Sequence, residues 1–144
     1  MSEVLLLDAS VWLASNDEGD PFHESSSELV AFGPDERELA ALDLTLFEVG
    51  NVAIRSWRSL RRARELTELV EVAAAGNLER VDGETVCATV SDADEHRLSS
   101  YDAAYVTVAR RRGWTLVSCD QRDLVRPGHA VTPDDVMRRD AVRG

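Results

Sequence analysis

The stretch Val4-Leu5-Leu6-Leu7-Asp8-Ala9-Ser10 decides how this chain is read. Four consecutive large aliphatics suit a strand buried on both faces, like the central strand of a parallel sheet. Asp8 then stands where that strand leaves the sheet, the end at which open α/β folds place their ligands. Ser10 follows as the expected N-cap of a short helix, Val11 to Ala14. A single aspartate at a strand end serves equally well as a cap or turn residue. A functional reading therefore needs further acids in similar settings.

Outward from that strand, Asn16 to Pro21 is a polar loop, and Phe22 to Phe32 is expected to be a helix stopped by Gly33-Pro34. Asp35 to Leu39 is expected to add a short helical turn, and Ala40 to Leu44 a second strand. Thr45 is the expected N-cap of the next helix, with Glu48 at capping-box spacing. Val49, Val52, Ala53 and Trp57 form its buried stripe. A helix over Ser59 to Ala75 stops at Gly76-Asn77. Leu78 to Val81 is a third strand and Thr85 to His96 another helix. Ser99-Ser100-Tyr101-Asp102 opens the best-defined late helix, which ends at Gly113. Trp114 to Ser118 is a strand, with Ala130 to Thr132 a last short one before a terminal helix. Strands alternating with helices predict a central parallel sheet covered on both faces, an α/β/α arrangement in one domain over residues 1–144.

The chain has 144 residues, 44% of them hydrophobic, enough for a real core. No apolar run is long enough to span a bilayer. Glu3 and Asp8 are out of place in a signal peptide. Cys87 and Cys119 make neither a disulfide framework nor a zinc pattern and read as reduced, partly buried thiols of a cytoplasmic protein. Acids number 27 against 16 bases, for a net charge of −11, and every base is arginine. Strong acidity without lysine suggests a halophilic protein, because at molar salt the Debye length falls to about 3 Å and self-repulsion is screened. The missing lysine also excludes a P-loop, which needs Gly-Lys-Ser/Thr. It argues against aspartyl-phosphate chemistry too, whose sites are completed by a lysine.

Three more acids stand in suggestive places. Glu48 shares a helical face with Asn51 one turn later, though it also fits a capping box with Thr45. Asp102 sits at the start of a helix, where Ser99-x-x-Asp102 is itself a capping box. Asp120 leaves the strand Trp114 to Ser118, with Ser118 on the same side two residues earlier. Asp120 also has a cap alternative, with Asp123 at the matching spacing. In a parallel sheet the carboxyl ends of the strands gather on one edge. Asp8 and Asp120 are expected there, with Glu48 and Asp102 in the first turns of helices entered from that edge. Four acids packed together oppose one another's ionisation, a cost that a divalent cation removes. Oxygen donors without His or Cys point to Mg²⁺ or Mn²⁺ rather than zinc.

Leu5-Leu6-Leu7-Asp8-Ala9-Ser10-Val11-Trp12, Glu48-Val49-Gly50-Asn51, Tyr101-Asp102-Ala103-Ala104-Tyr105 and Leu116-Val117-Ser118-Cys119-Asp120 resemble, in order, the blocks of PIN-domain proteins. Their spacing looks most like that of VapC-type toxins. The resemblance implies a small α/β/α endoribonuclease that needs Mg²⁺ or Mn²⁺, forms a homodimer, and is held inactive by a cognate antitoxin. Carried over, Asp8, Glu48, Asp102 and Asp120 match the acidic quartet of catalytic and metal-ligating residues. Ser118 matches the hydroxyl two before the last acid, and Asp123 is a supporting candidate. Phe22 to Leu42 and Arg61 to Val90 carry no signature of substrate choice. Two alternatives stay open: a housekeeping PIN nuclease for ribosomal RNA maturation, and a non-catalytic PIN-like module that only binds a partner.

The arginines cluster at Arg55, Arg58, Arg61, Arg62 and Arg64 and again at Arg110-Arg111-Arg112. The first cluster suits an RNA backbone or an acidic antitoxin segment. It also suits a solvated face in which Arg61 and Arg64 pair with Glu65 and Glu68. The second suits a helix C-terminus. Trp12, Trp57 and Trp114 are expected in the core or a dimer interface rather than under bases. His23, His96 and His129 have no ligand spacing.

Overall fold

In a computed structural model that describes residues 3–32 and 37–143, four parallel strands form one sheet in the order β3-β2-β1-β4. The strands are β1 (Glu3–Leu7), β2 (Arg37–Leu42), β3 (Leu78–Glu79) and β4 (Thr115–Val117). Between and after them run α1 (Ala9–Ala14), α2 (His23–Phe32), α3 (Asp43–Arg55), α4 (Leu60–Ala73), α5 (Gly83–His96), α6 (Ser100–Arg112) and α7 (Pro133–Arg143). A π-helical turn, Gln121–Val125, follows β4.

The leading leucines divide between two cores as strand alternation requires. Leu5 and Leu7, with Leu39 and Ala41 of β2, pack against Val11 and Trp12 of α1, Leu29 of α2, Val49 of α3, Leu66 and Val70 of α4 and Val136 of α7. Leu6, with Ala40 and Leu42, faces Ala104, Tyr105 and Val108 of α6 together with Leu124. β1 is thus the buried central strand, flanked by β2 and β4. The three-layer α/β/α arrangement is as the sequence predicts. Among the described residues no helix is long and apolar enough to cross a membrane.

Local signals set several boundaries. Ser59 accepts the Arg62 N–H at 3.1 Å to open α4, and Ser99 accepts the Asp102 N–H at 3.0 Å to open α6. Gly113 closes α6 at φ +70°, a left-handed conformation that glycine adopts without a Cβ penalty. Trp12 is fully buried, and Arg62 lies over the Trp57 ring at 4.0 Å, so both serve packing. Arg61 pairs with Glu65 at 2.9 Å on the surface, as expected for a solvated face.

Other expectations are corrected. Residues 37–39 are strand rather than helical turn, because they pair in parallel with Glu3 to Leu5, and ladder hydrogen bonds outweigh a weak local helix preference. The expected stop at Gly33-Pro34, and the Asp35–Glu36 part of that turn, lie outside the described residues. Asp43 and Leu44 open α3 instead of ending β2, so Thr45 is not the cap. Its hydroxyl instead accepts the N–H of Leu42, the residue before the helix, at 3.1 Å. Glu48 consequently falls in the second turn of α3. Ser10 lies inside α1, whose cap is Asp8. The third strand is only two residues long, and residues 130–132 contribute a single bridge, Val117 to Val131. Cys87 is exposed rather than partly buried.

Candidate active site

Asp8 leaves β1 at its carboxyl end and is 5% exposed. Its Oδ1 caps α1 through the Val11 N–H at 3.4 Å and accepts the Ser10 hydroxyl. Its Oδ2 accepts the Ser118 hydroxyl at 2.5 Å. Both serines are themselves anchored by the backbone that leaves β4. Ser10 Oγ accepts the Cys119 N–H at 2.9 Å, and Ser118 Oγ accepts the Asp120 N–H at 3.0 Å. Each oxygen of Asp8 is therefore held by a hydroxyl whose direction is set by an amide. Burial pushes the Asp8 carboxyl up to about 6, against the hydrogen bonds that favour its charged form.

Asp120 caps the π-helical turn, accepting the Asp123 N–H at 3.0 Å. That turn brings Asp123 back towards the start of α6. One carboxylate oxygen each from Asp102, Asp120 and Asp123 lie within 4.8 Å of one another. Burial raises the Asp102 carboxyl, and the charges of Asp120 and Asp123 raise it further. π-Helical turns of this kind are frequent at functional sites.

Glu48, on α3, is half-buried and accepts the Tyr105 phenol at 2.6 Å. Burial raises its carboxyl, the phenol works against that rise, and the Asp102 charge adds to it. Tyr105 is 1% exposed, and burial holds its phenol well above its ordinary value, so it remains a proton donor.

All four predicted acids thus gather around Asp102, whose charge acts on both Asp8 and Glu48. The tight grouping itself is Asp102, Asp120 and Asp123, which gives Asp123 a more central place than the sequence suggested. Among the described residues no ion pair neutralises Asp8, Glu48, Asp102 or Asp120; Asp123 has only a 3.5 Å pair with the exposed Arg122. Asn51 is exposed, and its side chain makes no hydrogen bond among the described residues. Sequence reasoning missed Ser10, Thr45 and Tyr105 as supports of the acids. Ser10 carried a signal, two residues after Asp8, but was read as a cap. Tyr105 stood in the block Tyr101 to Tyr105, one turn after Asp102, but nothing there pointed to Glu48 as its partner.

The donor set tests well against a hard divalent cation. It is all oxygen, free among the described residues of any arginine partner but the exposed Arg122 beside Asp123, and partly withdrawn from water. A second grouping, Asp92, Glu95 and His96, lacks that character because Arg110 already sits on the Asp92 carboxylate at 2.8 Å.

The PIN domain family model matches residues 5–129, which include every acid of the site. No curated protein matches the chain in sequence. Among solved structures it is similar to PAE2754 from Pyrobaculum aerophilum, with TM-score 0.73 and 24% identity over 98% of this chain and 90% of that one. It is similar to VapC20 from Mycobacterium tuberculosis, a sarcin-ricin loop cleaving toxin, with TM-score 0.65 and 21% identity over 82% and 91% of the two chains. A toxin-antitoxin complex from Klebsiella pneumoniae gives TM-score 0.64 and 19% identity over 90% and 97%. At these identities the likeness is one of fold. The family match covers most of the chain, from the strand that ends in Asp8 to the turn that carries Asp123, and the chain belongs to the PIN domain family.

Proposed function

We propose that this protein is a Mg²⁺- or Mn²⁺-dependent endoribonuclease, the toxin of a toxin–antitoxin pair. One observation carries the reading: carboxylate oxygens of Asp102, Asp120 and Asp123 lie within 4.8 Å of one another, and the Asp102 charge acts on both Asp8 and Glu48. In this reading Asp8 and Asp102 are the principal ligands. Glu48 and Asp120 bind directly or through water, and Asp123 completes the acidic face. Ser118 and Ser10 hold Asp8 in one orientation. When bound, the cation supplies positive charge against a phosphodiester and acidifies water in its shell. The chain's own groups orient that water and keep the acids in place before substrate arrives, so little reorganisation is left for the reaction.

The sarcin-ricin loop cleaved by VapC20 supports an RNA substrate, and the Klebsiella complex supports an antitoxin partner. Arg55, Arg58 and Arg64 are exposed and form no ion pair among the described residues, so they are available to RNA phosphates. A second copy of the chain covers the apolar face where Phe47, Val86, Val90 and Tyr101 are 79%, 45%, 51% and 63% exposed. In light scattering the protein should be a dimer that Phe47→Glu dissociates; a monomeric wild type removes that part of the reading.

The deciding experiment incubates total cellular RNA with purified protein in high KCl, with Mg²⁺, Mn²⁺ or EDTA, beside Asp8→Asn. Discrete fragments that need the metal and vanish in the variant are expected. Fragments that persist in EDTA or with Asp8→Asn would sink the metal mechanism.

A further inference from the structure

The Tyr105 phenol lies 2.6 Å from Glu48 Oε1 and 2.7 Å from Thr45 Oγ1. A phenol has one proton, and Tyr105 gives it to the carboxylate. It must therefore accept from Thr45, whose own oxygen accepts the Leu42 N–H at 3.1 Å. The chain of bonds has a single direction, from the amide at the end of β2, through Thr45 and Tyr105, to Glu48. Thr45 and Tyr105 are 0% and 1% exposed, so water cannot stand in for either hydroxyl.

We infer that Tyr105 is a positioning residue for Glu48, and that the Thr45–Tyr105 relay sets how tightly the acidic site holds a divalent cation. This rests on the metal reading proposed above. Glutamate has one more rotatable bond than aspartate, and it loses that freedom when it binds a cation. A side chain already fixed by a buried donor has less to lose. The donor is also neutral. An arginine in its place would orient Glu48 equally well but cancel the charge that attracts the cation. Tyr105 spans from α6 to α3, so the same bond ties the helix carrying Asp102 to the helix carrying Glu48. Outer-shell partners of metal ligands typically influence affinity by about 10–100-fold.

Calorimetric titration of Mn²⁺ into the intact protein tests this, with wild type, Tyr105→Phe, Thr45→Val and the double variant compared. Tyr105→Phe keeps the ring in the core and should weaken Mn²⁺ binding about tenfold. Thr45→Val should weaken it less. The double variant should be no weaker than Tyr105→Phe, since Thr45 acts only through the phenol. In RNA cleavage, the half-saturating Mn²⁺ concentration should rise by the same factor, while the rate at saturating metal returns towards wild type. A purely structural role would instead lower the melting temperature and the fraction of protein that binds, leaving the affinity of that fraction unchanged. Wild-type affinity in folded Tyr105→Phe overturns the inference, as does an additive double variant. If Tyr105→Phe fails to fold, Thr45→Val decides alone, and an unchanged affinity there overturns the relay. A wild type that binds no Mn²⁺ overturns the metal reading itself, a result distinct from all of these.

Discussion

Asp8 and Asp92 are both buried aspartates, 5% and 7% exposed, and their surroundings treat the charge in opposite ways. Asp92, on α5, receives Arg110 at 2.8 Å and Thr107 at 2.6 Å from α6. Those partners hold its carboxyl below the usual range, Arg110 most of all. Asp8 receives two serine hydroxyls and an amide, all neutral, and burial lifts its carboxyl to about 6. The charge that acts on it is that of another acid, Asp102, which raises it further. The first arrangement is electrostatically complete and clamps two helices together. The second leaves a negative charge for something outside the chain to meet. A carboxylate built for structure comes with its own cation, whereas one built for binding is held by donors that leave the charge intact.

The sharpest way to break this contrast is the pH dependence of the metal-free protein. An aspartate at 3.8 when unfolded and about 6 when folded binds a proton more tightly in the native state. Stability should therefore fall as pH rises from about 4 to about 6, by about 3 kcal/mol from Asp8, with Glu48 and Asp102, also raised, adding to the same slope. Asp8→Asn should remove its share of this slope and be the more stable protein at pH 7, although in the proposed mechanism it should not cleave RNA. Denaturant melts in EDTA at pH 4 and pH 7 check both statements, and a wild type that gains stability over that range would break the comparison.

Metal addition gives the next effect. At a hundredfold excess of Mg²⁺ over its dissociation constant the wild type should gain about 2.7 kcal/mol. Asp102→Asn should gain far less, and an Asp92 variant as much as wild type. Equal gains in all three would place the cation elsewhere. Asp92→Ala should cost about 1–3 kcal/mol through the lost bonds from Arg110 and Thr107, with Mn²⁺ affinity unchanged. A loss of affinity there would merge two sites that the structure separates. The smallest effect is that of salt. With a net charge of −11 and no lysine, the melting temperature should rise by a few degrees as KCl approaches molar levels, and a fall would end the halophilic reading.

Much of this was legible in the chain because it is encoded over a few residues. The run Val4-Leu5-Leu6-Leu7 suits a strand buried on both faces, and Asp8 follows it at the carboxyl edge. Ser99 and Gly113 bracket α6 by capping chemistry that needs no distant partner. The order of strand and helix implied the parallel sheet, and the sheet implied that Asp8, Asp102 and Asp120 share an edge.

What the sequence left open was decided by approach between distant segments. Residues 37–39 are strand because β1 lies alongside to pair with them, not because of their own preference. The π-helical turn draws Asp123 into the acidic grouping, a placement that capping spacing did not reveal. Tyr105 meets Glu48 across 57 positions, and Arg110 meets Asp92 across 18. Periodicity tells which face of a helix is buried but not which side chain waits on the other side. By itself the sequence determined the layers, the edge and the acids that gather there. Only the tertiary structure decided which of those acids are held by neutral donors and which carboxylate elsewhere is closed off by an arginine, because that depends on distances no local rule contains.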